Sequence, residues 1–250
     1  MDYTEAYHRF LKADLWEEWK DFESDQRKRL PPPELEKPAP EGARLIDLVA
    51  PEALTIGRVP LIEVIKRRRS RRRFTQEPLT LEELSFLLWA TQGVQHVPEN
   101  RVASLRTVPS GGARHPFETY LAIFSVTGLE PGLYRYLPLE HKLCFLRHEE
   151  GLEGKVTAGC DGQEFAGASA VTFIWTCIPY RTEWRYAVVA AKIIAQDSGH
   201  LCQNLYLASE SIGAGACAIG AYNQAKMDAL LQVDGEREFT IYVAPVGKIK

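Results

Sequence analysis

The chain has 250 residues, 45% of them hydrophobic and 25% charged, with a formal net charge of −3. That length suits one large domain or a domain with an arm, and the composition excludes fibrous and disordered classes. A slightly acidic balance, with no apolar run of about 18–20 residues, argues against a nucleic-acid surface or a membrane span.

Residues 3–22 set Tyr3, Tyr7, Phe10, Leu11, Leu15, Trp19 and Phe22 at steps of three and four, the spacing of one amphipathic helix. Its aromatic stripe reads as packing surface. Residues 24–60 hold seven of the fifteen prolines, including Pro31-Pro32-Pro33, and so must run extended. Residues 1–58 are therefore expected to be an arm, lying over the domain of residues 59–250 or over a partner subunit. The five cysteines form no CxxC pair, and the start of the chain lacks signal-peptide features. Reduced core thiols and a cytoplasmic protein are the expectation.

Pro60 opens a short apolar turn that ends in Lys66-Arg67-Arg68-Arg69-Ser70-Arg71-Arg72-Arg73-Phe74, seven basic residues in the first eight. So much positive charge in an otherwise non-basic chain calls for an anion. Guanidiniums grip phosphate oxygens bidentately and Ser70 can donate to another, so a local phosphate site is the expectation. Thr80-Leu81-Glu82-Glu83 has the form of a capping box, opening a helix with Leu84, Leu87, Leu88 and Trp89 on its apolar face and Gly93 at its end. Residues 94–105 read as an irregular loop.

The segment Pro109-Ser110-Gly111-Gly112-Ala113-Arg114-His115-Pro116-Phe117 allows close backbone approach. Strands are expected at 118–126 and 170–178, a hairpin at 133–146, helix or loop at 147–167, and a strand-like stretch at 216–222. Helical spacing returns at 224–231, and the last strand covers 238–246. Residues 183–212 contain no proline and carry apolar residues on nearly every face, which predicts one long central or interfacial helix. Asp197 and His200 lie on it three apart. With no third ligand in view they read as a buried hydrogen-bonded pair, and no metal site is expected. The count gives an α+β chain with a mixed, mainly antiparallel sheet of about four to five strands flanked by helices.

Three separated stretches together resemble the FMN-dependent nitroreductase family: Arg68-Arg69-Ser70-x-Arg72-x-Phe74, Pro109-Ser110-Gly111 through Phe117, and Asn204 through Gly220 with a terminal Val246-Gly247-Lys248. Within it, Tyr7-His8, Leu84-Ser-x-Leu-Leu-Trp89, Gly132-Leu-Tyr-Arg-Tyr136 and Asp197-Ser-Gly-His200 are similar to the SagB/ThcOx-type dehydrogenases, which oxidise azolines in peptides. The resemblance implies a three-layer α+β fold and an intertwined homodimer with FMN at the interface. Arg68, Arg69, Ser70 and Arg72 would then hold the phosphate and ribityl chain, and Lys248 would add a further cation. Pro109, Ser110 and Gly111 match the segment that approaches the flavin from the second subunit. Ala218, Gly220 and Ala221 match the turn facing the ring, where a backbone N–H can reach N5.

Two departures shape the expected chemistry. Ala113 and His115 stand where many family members carry Asn and Gln. At the Lys-Tyr pair of the azole formers this chain reads Arg185-Tyr186, and an arginine stays protonated where a lysine can be tuned into a base. The expected function is an FMN-dependent oxidoreductase transferring hydride between flavin N5 and a small-molecule or peptide substrate, with Arg185 and Tyr186 as the catalytic candidates. NADH or NADPH would serve as a transient donor, since no GxGxxG fingerprint is present. The other readings are an azoline dehydrogenase of a peptide-modifying complex and a non-catalytic flavin-binding module.

Overall fold

The computed structural model describes residues 3–250. In chain order it has helices α1 (Tyr3–Leu11) and α2 (Leu15–Asp21), strand β1 (Leu45–Asp47), helices α3 (Leu61–Arg67) and α4 (Leu81–Gln92), and strands β2 (Val94–His96) and β3 (Leu105–Arg106). Strands β4 (Phe117–Ile123), β5 (Gly132–Leu137) and β6 (Lys142–Arg147) follow, then helices α5 (Leu152–Gly159) and α6 (Glu164–Gly167) and strand β7 (Val171–Cys177). Helices α7 (Tyr180–Tyr186) and α8 (Ala190–Ser211), strand β8 (Ala214–Ala216), helix α9 (Gln224–Leu231) and strand β9 (Phe239–Lys248) complete the chain.

Among the described residues, seven strands form one sheet in the order β1-β6-β5-β4-β7-β9-β8, and every pairing in it is antiparallel. The expected mainly antiparallel sheet flanked by helices is present, with seven strands in place of the expected four to five. The strands missed, β1 and β8, are three residues long, too short for a period of two to register. A two-residue β3 pairs with β2 where an irregular loop was expected. Strand β8 also precedes the expected stretch at 216–222, of which Ile219 keeps an isolated bridge to Val243.

Strand β4 explains the three layers. Its residues are all buried, yet successive side chains point to opposite faces. Leu121 and Ile123 join a core with Leu84, Leu87 and Leu88 of α4 and Ile194, Leu201 and Leu205 of α8. Tyr120 and Ala122 join a second core with Val156 of α5 and Met227, Leu230 and Leu231 of α9. Both faces are covered, so the central strands read as continuous apolar runs. The expected capping box is present: Thr80 N donates to Glu83 Oε2 (2.9 Å) and Glu83 N donates to Thr80 Oγ1 (3.1 Å). All five cysteines are free and buried. No helix among the described residues is long and apolar enough to cross a membrane.

Two expected single helices are broken. Residues 12–14 separate α1 from α2, and neither helix buries a residue, so the aromatic stripe is largely exposed. The 183–212 helix breaks at Ala187, which sits at φ 45°, ψ −118° between α7 and a short 3₁₀ turn leading into α8. Nor is α8 apolar all round. Its outer face carries Ala191, Ala195, Gln196, Gly199, His200 and Gln203, while on α3 the apolar Leu61, Ile62 and Ile65 are exposed.

The proline-rich segment lies on its own chain's sheet. Lys37 N donates to Glu118 Oε1 (2.8 Å), Lys37 Nζ reaches Glu238 Oε2 (2.6 Å), and Arg135 Nη2 donates to the carbonyl of Pro38 (2.6 Å). Glu118 also pairs with Arg181 (2.6 Å) and lies 3.8 Å from Arg135, all three being buried.

Candidate functional site

Helix α3 ends at Arg67 because Arg68 leaves the helical region at φ −49°, ψ 123°. The arginine run then continues extended beside β8, with Arg71 N donating to Ala216 O (2.9 Å) and a parallel bridge from Ser70 to Ala216. Extended backbone sends alternate side chains to opposite sides, and this sorts the run. The Arg68 guanidinium lies 5.4 Å from the Tyr206 ring centre, Ser70 Oγ is 3.0 Å from the Tyr206 hydroxyl, and Arg72 lies over Phe165 at 5.8 Å. Arg71 is spent on the buried carboxylate of Glu210 (3.2 Å). Arg69 donates through Nη1 to the carbonyls of Lys66 (3.1 Å) and Arg68 (2.8 Å), closing the end of α3. Among the described residues neither Arg68 nor Arg72 has a carboxylate partner.

Tyr206 and Glu210, which sequence reading passed over, organise this face. The Tyr206 hydroxyl accepts from Ala218 N (2.7 Å) while touching Ser70, so it joins the arginine run to the turn at 218–221. With the Ala218 N–H taken, the exposed Gly220 and Ala221 are the turn residues left to face a ring. Lys248 is not brought to the arginines. Its ammonium pairs with Glu83 of the capping box and donates to Ile212 O (3.3 Å), with 14% of the side chain exposed.

A second group gathers nearer the start of α8. Ser110 Oγ donates to Asp197 Oδ2 (2.6 Å), and Gly111 N donates to the same oxygen (3.1 Å). Burial raises the Asp197 pKa, and these two donors oppose it. His200 is not buried: 46% of its side chain is exposed, with Nδ1 3.3 Å from Pro109 O and 3.8 Å from Asp197. The expected buried pair is thus a buried carboxylate beside an exposed imidazole. Gly112 sits at φ 61°, where a Cβ would come within 2.8 Å of the Tyr186 hydroxyl and 3.1 Å of Arg185 Cδ. Arg185 and Tyr186 are therefore packed against the Pro109–Gly112 segment. His115 is 2% exposed, its pKa pushed down to about 2 by burial and Arg106, so it is neutral and faces inward. It takes no place in the cleft here, which measures about 500 Å³ and is lined by Trp16, Ser110, Gly111, Tyr186, Asp197 and His200 among others.

Asp197 and Tyr206 are nine residues apart on one helix, roughly 14 Å along its axis. The arginine face and the Ser110–Asp197 group thus lie at separate positions along α8. The first fits a phosphate-bearing flavin by its donor chemistry: two guanidiniums without acid partners and a serine hydroxyl, next to a turn whose Gly220 and Ala221 are exposed.

The model of the Nitroreductase family matches residues 65–248. A Methanocaldococcus jannaschii protein that carries a provisional nitroreductase name is 31% identical over 193 residues, covering 77% of this chain and 93% of that protein. The trifolitoxin-processing protein TfxB of Rhizobium leguminosarum bv. trifolii is 33% identical over 121 residues, 43% of this chain and 30% of that one. A crystal structure from Ralstonia eutropha, also named provisionally as a nitroreductase, superposes with TM-score 0.68 at 27% identity, covering 88% of this chain and 95% of the other. Fold and family match together define an α+β flavoprotein oxidoreductase. The chain belongs to the nitroreductase family.

Proposed function

We propose that this protein is an FMN-dependent oxidoreductase that works as a homodimer on a small, unsaturated substrate, with reduced nicotinamide as donor. The face formed by Arg68, Ser70 and Arg72 carries the reading, since no carboxylate among the described residues neutralises those two arginines. Arg68 and Arg72 would hold the phosphate, and Ser70, oriented by Tyr206, would donate to it. In the turn at Ala218, Gly220 and Ala221, the last two would present backbone to the ring, the Ala218 N–H being held by Tyr206. FMN bound there supplies hydride transfer between its N5 and the substrate. The half-site of Pro109, Ser110, Gly111, Arg185 and Tyr186 would close over the flavin of the opposite subunit, with Arg185 contributing a fixed positive charge and Tyr186 relaying a proton.

Purified protein should be yellow and release FMN on denaturation, and it should reduce a quinone with NADH or NADPH. A colourless protein that takes up no added FMN rejects the proposal. Bound flavin without turnover of any quinone or nitroaromatic leaves the non-catalytic flavin-binding reading in its place.

The dimer draws support from α3, where Leu61 and Ile62 are each 62% exposed beside a groove lined by Val64, Phe86, Trp89 and Leu207. Light scattering should give about twice the chain mass of 28.2 kDa at micromolar concentration. A mass near that of one chain rejects it.

The likeness to TfxB favours a second reading, an azoline dehydrogenase acting on peptides. Arg185 weighs against it, because a guanidinium does not serve as the proton-removing base. The wild type should show weak or absent azole formation, and Arg185→Lys should raise it at equal flavin occupancy. Robust azole formation by the wild type overturns this view of position 185.

A further inference from the structure

Helices α1 and α2 bury none of their residues, so the sheet gains little from them. They are nevertheless held at defined points. Lys192, on the first turn of α8, donates to the carbonyls of Leu11 and Lys12 and so fixes the end of α1. Arg27 Nη1 donates to the carbonyls of Trp19 (3.2 Å), Lys20 (3.0 Å) and Phe22 (2.7 Å), fixing the end of α2, and its guanidinium stacks on Trp19 at 4.3 Å. Cationic side chains thus anchor both helices.

What they position is Trp16. Its ring meets Tyr186 edge-on at 6.0 Å and 80°, and Trp19 at 5.5 Å and 70°, while Trp19 lies 6.3 Å from Tyr186. Trp16 remains 36% exposed and lines the cleft together with Gly111, Ile193 and Asp197. An indole held edge-on by its neighbours, and still exposed where it lines a cleft, is a surface for another ring. Residue Lys192 adjoins Ile193, another lining residue, so the anchor and the cleft share one turn of α8.

We infer that the N-terminal arm is a working part of the substrate site, and that Trp16 determines which substrates the cleft admits by stacking on a planar ring held against Tyr186. The floor of the cleft is a carboxylate, Asp197, whose oxygens already accept from Ser110 and Gly111. A ring bearing uncharged amide N–H groups suits that floor, and a ring bearing a carboxylate is repelled by it. The inference rests on the flavin reading above. It goes beyond that reading by giving part of the specificity to Trp16, which lies outside the family match that begins at residue 65.

The test uses the full-length protein loaded with FMN and 4-nitrobenzamide as probe, measured by calorimetric titration and by steady-state reduction. Trp16→Ala should weaken binding about tenfold and raise KM in proportion, with kcat within about twofold, while Trp16→Phe recovers most of the loss. Tyr7→Ala, on the exposed side of α1, should change neither. Cyclohexanecarboxamide and 4-nitrobenzoate should bind at least tenfold more weakly than the probe. FMN occupancy and thermal midpoint are recorded for every variant. Equal probe affinity in wild type and Trp16→Ala, equal affinity for the saturated probe, or no binding of the probe at millimolar concentration each overturns the inference while leaving the flavin reading intact. Failure of the wild type to hold FMN overturns the flavin reading and this inference with it.

Discussion

Replacing Arg68 and Arg72 together with alanine is expected to weaken FMN binding by roughly a hundredfold to ten-thousandfold. Each change removes one charge-assisted contact, worth about 1.5–3 kcal/mol, or about tenfold to a hundredfold. The two side chains stack on different rings, Tyr206 and Phe165, so their losses should nearly add. Arg69→Ala should cost far less, because that guanidinium is engaged with the carbonyls that end α3. Arg71→Ala should act through stability, since it leaves Glu210 buried without its cation. Fluorescence titration of apoprotein with FMN measures these three variants and the single Arg72→Ala change. An Arg69→Ala loss as large as that of Arg72→Ala would show that the faces of the run are assigned the wrong way round.

Glu118→Ala should destabilise the protein by about 3–5 kcal/mol, the usual effect of leaving buried charge unpaired. Its carboxylate serves Arg181, Arg135 and the backbone N–H of Lys37, and the arginine side chains are each 3% exposed. For a chain of this length that amounts to a fall in thermal midpoint of about 6–20 °C. Because Lys37 is one of the groups released, the proline-rich segment should also become the first site of proteolysis. Glu118→Gln keeps an acceptor in place and should lose less. Circular dichroism melts and limited proteolysis check both statements, and a midpoint unchanged within 2 °C for the alanine variant would count against this network as the arm's anchor.

The chain shows plainly what one sequence window can carry. The capping box at Thr80 and Glu83 was legible because both of its hydrogen bonds close within four residues. Strands β4 and β7 were legible because burial on both faces leaves an unbroken apolar run. The break at Ala187 was not, since alanine is a good helix former and nothing local forces φ to 45°. Packing of Tyr186 between Trp16, Trp19 and Gly112 accompanies that turn, and two of those partners lie in the arm. Lys248 likewise had the right charge for the anion site. Only the fold put Glu83 beside it.

Composition and pattern by themselves determined that this is an α+β chain with buried central strands, an extended proline-rich arm and a concentrated cationic run suited to phosphate. Those features follow from charge, backbone restriction and short-period burial, which act between near neighbours. The tertiary structure alone decided which arginines of the run remain available, because the choice depends on Glu210 and Tyr206, the latter 136 residues from Ser70. It alone decided that Asp197 holds the Ser110–Gly111 turn and that Trp16 stands over the same cleft. Hydrogen bonds and ring contacts at such separations form only when the core has set the distance between elements, and no local propensity encodes that distance.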